Sequence, residues 1–98
     1  MSENSKLQIK AVVRGRVQGV GYRAWTEQQA KLRGLTGYVM NLPDGTVEVL
    51  IEGEASDVIE MAQTLWIGPP LAQVDQVDMC TGGASHAYTD FSCRRGRW

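Results

Sequence analysis

From Lys6 to Arg14, Leu7, Ile9, Ala11 and Val13 alternate with mostly polar neighbours, the period of a half-buried strand. A glycine-rich stretch, Gly15 to Gly21, follows. Tyr22 to Arg33 then has no Gly or Pro and is rich in helix formers, which predicts a helix ending at Gly34. On it Tyr22, Trp25, Gln29 and Leu32 are expected to share one face, with Thr26 and Ala30 beside them. Leu35 to Asn41 is rich in strand formers, Leu42-Pro43-Asp44-Gly45 is a turn signal, and Thr46 to Glu52 alternates again, so this region predicts a β-hairpin. Ala55, Val58, Ile59, Ala62, Leu65 and Trp66 form a helical stripe, terminated by Gly68-Pro69-Pro70. Ala72 to Met79 suggests a further strand, where the Val74 to Val77 spacing points to a bulge or an edge position. Residues 81 to 90 read as a Gly/Ser/Thr loop, and Phe91 to Arg94 has the composition of a short last strand.

The order β-α-β-β-α-β, with a short fifth strand, is the α+β ferredoxin-like split βαβ arrangement. With one apolar stripe each, both helices are expected on the same face of an antiparallel sheet. At 98 residues the chain suits a single domain over 1–98 with loose ends at 1–6 and 95–98. A chain of this size buries roughly 65 % of its unfolded surface, so it needs no metal or disulfide staple. The polar start, Met1-Ser2-Glu3-Asn4-Ser5-Lys6, and short apolar runs argue against a signal peptide or a membrane span, and the expected location is cytoplasmic.

A net charge of −1 argues against a general nucleic-acid binder. The distribution is uneven: residues 6 to 33 carry Lys6, Lys10, Arg14, Arg16, Arg23, Lys31 and Arg33 against Glu27 alone, whereas residues 44 to 90 carry nine acids and no Lys or Arg. Such a basic half suits a small anion, or is simply solvated surface charge. Two cysteines, Cys80 and Cys93, are too few for a disulfide scaffold, and a single histidine, His86, in a Gly/Ala/Ser loop reads as a surface residue rather than a zinc ligand. No metal and no cofactor are expected.

The glycine stretch has the composition of an anion cradle. Its glycines let main-chain N–H groups turn inward, and the following helix N-terminus adds partial positive charge. Arg23, in the first helical turn, can fold its guanidinium over the same concavity and meet two phosphate oxygens at once. The same glycines would equally serve a tight strand-to-helix connection. No Gly-Lys pair exists for a Walker A loop, and Gly19-Val20-Gly21-Tyr22-Arg23-Ala24 matches a dinucleotide fingerprint only in pattern, because an Asp-Gly hairpin follows it instead of a parallel strand.

Gly15-Arg16-Val17-Gln18-Gly19-Val20-Gly21-Tyr22-Arg23 resembles the signature loop of acylphosphatases, and Gly37-Tyr38-Val39-Met40-Asn41-Leu42-Pro43-Asp44-Gly45-Thr46-Val47-Glu48 resembles their second signature. Gly53-Glu54 and Gly68-Pro69-Pro70 also fit, so the likeness runs from about Leu7 to Phe91. Tyr22 replaces the more usual phenylalanine, Met40 stands where a basic residue is common, and Arg94-Arg95-Gly96-Arg97-Trp98 is unusually basic. The resemblance implies metal-independent hydrolysis of carboxyl-phosphate anhydrides to a carboxylate and phosphate. It implies Arg23 and Asn41 as catalytic residues, with the loop Gly15, Arg16, Val17, Gln18, Gly19, Val20, Gly21, Tyr22 and Arg23 holding the phosphoryl oxygens. The partners it implies are a small acyl phosphate and, as competitors, inorganic phosphate or sulfate. The charge balance and the short apolar runs set aside nucleic acid and membrane as partners, and a monomer is the default expectation. It also places the strands of Cys80 and Cys93 at opposite sheet edges, so both are expected as reduced thiols. Outside the motifs, Asn41 is a polar strand end before a turn, Trp25 and Trp66 read as core, and Glu48, Glu52, Glu54 and Asp57 read as solvated or helix-capping charges. The alternatives are a non-catalytic anion-binding or regulatory module with the same cradle, and an interaction domain using a sheet edge.

Overall fold

Alternation places the strands and the two apolar stripes fold the helices onto them. The computed structural model describes residues 5–85 and 87–94. The elements are β1 (Lys6–Arg16), α1 (Tyr22–Leu32), β2 (Thr36–Asn41), β3 (Val47–Glu54), α2 (Ala55–Leu65), β4 (Gln73–Gly82) and β5 (Phe91–Arg94). They form one sheet in the order β4-β1-β3-β2-β5. In the β1–β3 ladder Ile9 lies opposite Ile51, Ala11 opposite Val49 and Val13 opposite Val47, so the alternating apolar residues of both strands share one face. Ala30 of α1 and Val58, Met61, Ala62 and Leu65 of α2 join the same buried cluster, which puts both helices on that face. Full burial of a Val, Leu or Met side chain such as Val58, Leu65 or Met61 contributes about 1.5–3 kcal/mol.

Several details depart from the sequence reading. The fifth strand exists, but it pairs with β2 in parallel, from Gly37 opposite Phe91 to Met40 opposite Arg94, so the sheet is mixed. On α1 the buried residues are Tyr22, Thr26 and Ala30, a line of i, i+4, i+8. Leu32 lies about 120° around the helix from Thr26 and is 75 % exposed. Trp25 packs only partly against the core, its ring centroid 5.3 Å from that of Tyr22. On α2 the buried face is Val58, Met61, Ala62 and Leu65. Met61 takes the place expected of Ile59, and Ile59 and Trp66, each about a quarter-turn off that face, are 49 % and 46 % exposed. Trp66 is therefore not a core residue. The break in alternation on β4 is a bulge on an edge strand: Arg14 pairs with Gln76 while Gly15 pairs with Val74. Gly15 permits it, because a Cβ there would lie 2.2 Å from the Gln73 carbonyl oxygen.

Lys6, expected within a loose end, belongs to a strand, and the loop after β4 starts later than residue 81. Lys6 opens β1 and its Nζ lies 2.9 Å from Glu54, while Thr81 and Gly82 still belong to β4. Ser85 then returns across the sheet face that the helices leave open. Its N–H and hydroxyl both donate to Glu52 at 2.7 Å. Glu52 is 3 % exposed, so it is neither a solvated nor a capping charge. His86 and residues 95–98 lie outside the described residues. No helix among the described residues is long and apolar enough to cross a membrane.

Candidate active site

The glycine stretch leaves β1 at Arg16 and enters α1 at Tyr22. Gly21 caps α1 at φ 83°, a left-handed conformation that costs a glycine no Cβ clash, and no side chain caps the helix. The first N–H groups of an α-helix have no intrahelical acceptor, so those of Tyr22, Arg23 and Ala24 are available at this end. The same three residues help to line a cavity of about 210 Å³, together with Val17, Gly19, Gly21, Asn41 and Cys93.

The fold brings both sequence signatures to this cavity. Asn41 reaches it as the last residue of β2, and its Oδ1 is buried with no hydrogen-bond donor among the described residues. An amide oxygen in that state keeps its full acceptor capacity. Arg23 reaches it from the first turn of α1, where its Nη1 donates to the Arg94 main-chain oxygen at 3.0 Å. That acceptor is neutral. Lys6, Arg14, Lys31 and Arg33 each lie within ion-pair distance of a carboxylate, whereas Arg23 is in none of the described ion pairs, so its charge stays available to an anion.

The remaining loop residues divide their work. Gly15 and Arg16 are the last residues of β1 and pair with β4, away from the cavity lining. Gln18 turns its amide the other way: Nε2 donates to the main-chain oxygens of Leu42 at 2.9 Å and Thr46 at 2.8 Å. It thereby ties the glycine loop to the turn that follows Asn41. Val20 packs against the core. Tyr22 is 1 % exposed and its hydroxyl donates to the Leu65 main-chain oxygen at 2.6 Å, so its contribution to the cavity is its main chain. Burial drives its phenol well above the usual range.

The turn after Asn41 is fixed by Asp44. Its Oδ1 accepts from the Thr46 hydroxyl at 2.6 Å and the Thr46 N–H at 3.0 Å. Those two bonds, the hydroxyl first, hold the Asp44 carboxyl below its ordinary range. A depressed carboxylate stabilises the fold above its unfolded pKa of about 4 and ceases to do so as pH falls through its folded value. Asp44→Ala is therefore expected to melt below the parent at pH 7, with the gap narrowing in thermal scans taken below about pH 4. A gap that stays constant down to pH 2 would remove this role.

Two lining residues, Ala24 and Cys93, were not anticipated, nor was the Arg94 carbonyl. Cys93 faces the cavity because β5 pairs with β2 and alternation then turns residue 93 toward the helices. Cys80 stands exposed on β4, at the opposite sheet edge from Cys93.

A small ferredoxin-like domain with one cavity suited to an anion has many relatives by shape alone. The sequence comparisons are narrower. Residues 9–93 match the acylphosphatase family. The acylphosphatase of Chromohalobacter salexigens is 56 % identical over 70 residues, 71 % of this chain and 78 % of that protein. That of Bradyrhizobium diazoefficiens is 48 % identical over 80 residues, 82 % of this chain and 81 % of its own length. The crystal structure of the Bacillus subtilis acylphosphatase superposes with a TM-score of 0.87 at 33 % identity, covering 90 % of this chain and 98 % of that one. The chain belongs to the acylphosphatase family. It is a hydrolase that cleaves the carboxyl-phosphate bond of acyl phosphates.

Proposed function

We propose that Arg23 and the main-chain N–H groups at the start of α1 hold the phosphoryl oxygens, and that Asn41 orients the attacking water. The observation that carries this reading is one cavity reached by both signature segments, with Arg23 and Asn41 in its wall. The leaving carboxylate is the conjugate base of a strong enough acid to depart without a proton donor. What the reaction requires is in-line placement of water and neutralisation of charge on the phosphoryl oxygens. Helix N-terminal amides and a guanidinium supply the second, already oriented and with no reorganisation at the moment of transfer. Asn41, in the cavity wall, supplies the first through its carboxamide, without acting as a base. Product phosphate, and sulfate by the same geometry, then compete for the cradle.

On this reading no metal is required, the protein acts as a monomer, and its place is the cytoplasm. The test is phosphate release from benzoyl phosphate in the presence of EDTA. Turnover undiminished by the chelator is expected. Activity that EDTA abolishes and a divalent cation restores would overturn the metal-free mechanism.

A further inference from the structure

β5 is four residues long, at the edge of the sheet; Phe91 anchors its start in the core, and its one strand partner is β2, in a parallel ladder. Short edge strands fray. Yet the last residue of this one carries the carbonyl that accepts from Arg23. Something must hold residue 94 in register, and the open face of the sheet shows what does. Arg94 is in register with Met40, and Met40 with Glu48, so the side chains of Arg94, Tyr38 and Glu48 all emerge on the face away from the helices. There the Arg94 guanidinium lies 4.4 Å from the centroid of the Tyr38 ring and 5.9 Å from that of Tyr88. The two rings pack against each other at 5.9 Å. Tyr38 is 7 % exposed, and its hydroxyl donates to Glu48 on β3.

We propose that Arg94, Tyr38 and Glu48 are positioning residues for hydrolysis: clamped on one side of the sheet, they fix the Arg94 carbonyl that aims Arg23 on the other. This rests on the assignment of Arg23 to the phosphoryl group. A guanidinium over an aromatic ring is attracted by the ring's quadrupole, and the attraction grows as water is excluded. The Glu48 carboxylate fixes the Tyr38 ring through its hydroxyl and lies on the same face as the Arg94 charge. With the clamp intact, Arg23 stays in one orientation. Without it, the end of β5 moves, and the guanidinium samples orientations that miss the phosphoryl oxygens.

The test uses phosphate affinity by calorimetric titration alongside kcat and KM for benzoyl phosphate. Arg94→Ala is expected to weaken phosphate binding about fivefold and to lower kcat/KM by a similar factor, the scale of one exposed cation–π contact. Its melting temperature should stay well above the assay temperature. Arg94→Lys, which keeps a cation for the ring, is expected to recover most of the loss. Because the clamp acts through Arg23, adding Arg94→Ala to Arg23→Ala should weaken phosphate binding no further. Parent-like phosphate affinity in Arg94→Ala, beside a large loss in Arg23→Ala, would overturn the clamp and leave the role of Arg23 standing. The same fivefold loss in both backgrounds would also overturn it, since the residue would then act independently of Arg23. Parent-like affinity in Arg23→Ala would overturn the assignment of Arg23 and the clamp with it.

Discussion

Arg23→Ala is expected to lower kcat/KM for an acyl phosphate by about 100- to 1,000-fold or more while the protein remains folded. Removing one preorganised donor to developing charge costs about 3–4 kcal/mol in a water-poor site. Arg23 supplies a full charge in addition to a donor, and none of the described ion pairs diminishes it. Its side chain bonds only the neutral Arg94 carbonyl among the described residues, so its loss leaves no buried carboxylate behind and the fold should survive. Phosphate affinity should fall with turnover, because the same guanidinium meets product and transition state. Arg23→Lys should recover little. A lysine ammonium is a point charge on a flexible stem and cannot meet two oxygens and the Arg94 carbonyl in one plane. Steady-state kinetics with benzoyl phosphate and calorimetric titration of phosphate check both statements. Near-parental turnover in folded Arg23→Ala would end the assignment.

Asn41→Ala should separate rate from binding. The side chain is proposed to hold water rather than phosphoryl oxygens, and an unheld nucleophile costs on the order of 100-fold. Most of kcat should therefore disappear while phosphate binds with nearly unchanged affinity. Stability should change little, because Oδ1 takes no hydrogen bond from any described residue. Single-turnover hydrolysis measured beside phosphate titration decides the matter. If Asn41→Ala loses phosphate as severely as Arg23→Ala, Asn41 belongs to the cradle. If it keeps both rate and binding, the water is held by another group.

The legible parts of this molecule were those that local chemistry dictates. Ile9, Ala11 and Val13 alternate because one face of β1 is buried, and Asp44-Gly45 turns the chain because an Asx side chain can bond two residues on. Arg23 could be placed in the first helical turn from Gly21 and the helix-forming run behind it. Helix faces were less legible. Leu32, Ile59 and Trp66 have the right residue type for a core, but the packing angle of each helix decides which stripe meets the sheet, and that angle is tertiary. The contributions of β5 were illegible for a similar reason. Nothing local states that residues 91–94 lie beside β2, or that they run parallel to it. Cys93 reaches the cavity, and the Arg94 carbonyl reaches Arg23, only through that pairing. The proximity of Arg23 to Asn41 was available from the family resemblance, and from no pattern in the residues themselves.

The parallel pairing of β5 with β2 also sets an order of events during synthesis. Every other strand and both helices precede residues 91–94 in the chain, so β5 is the last of these elements to leave the ribosome. Contacts between residues far apart in sequence, such as Gly37 with Phe91, form slowly because a long loop must close before they are rewarded. A nascent chain that already has its glycine loop, α1 and Asn41 still lacks the carbonyl that receives Arg23. Full affinity for phosphate should thus arrive with the pairing of β5, well after most of the hydrophobic surface has been hidden.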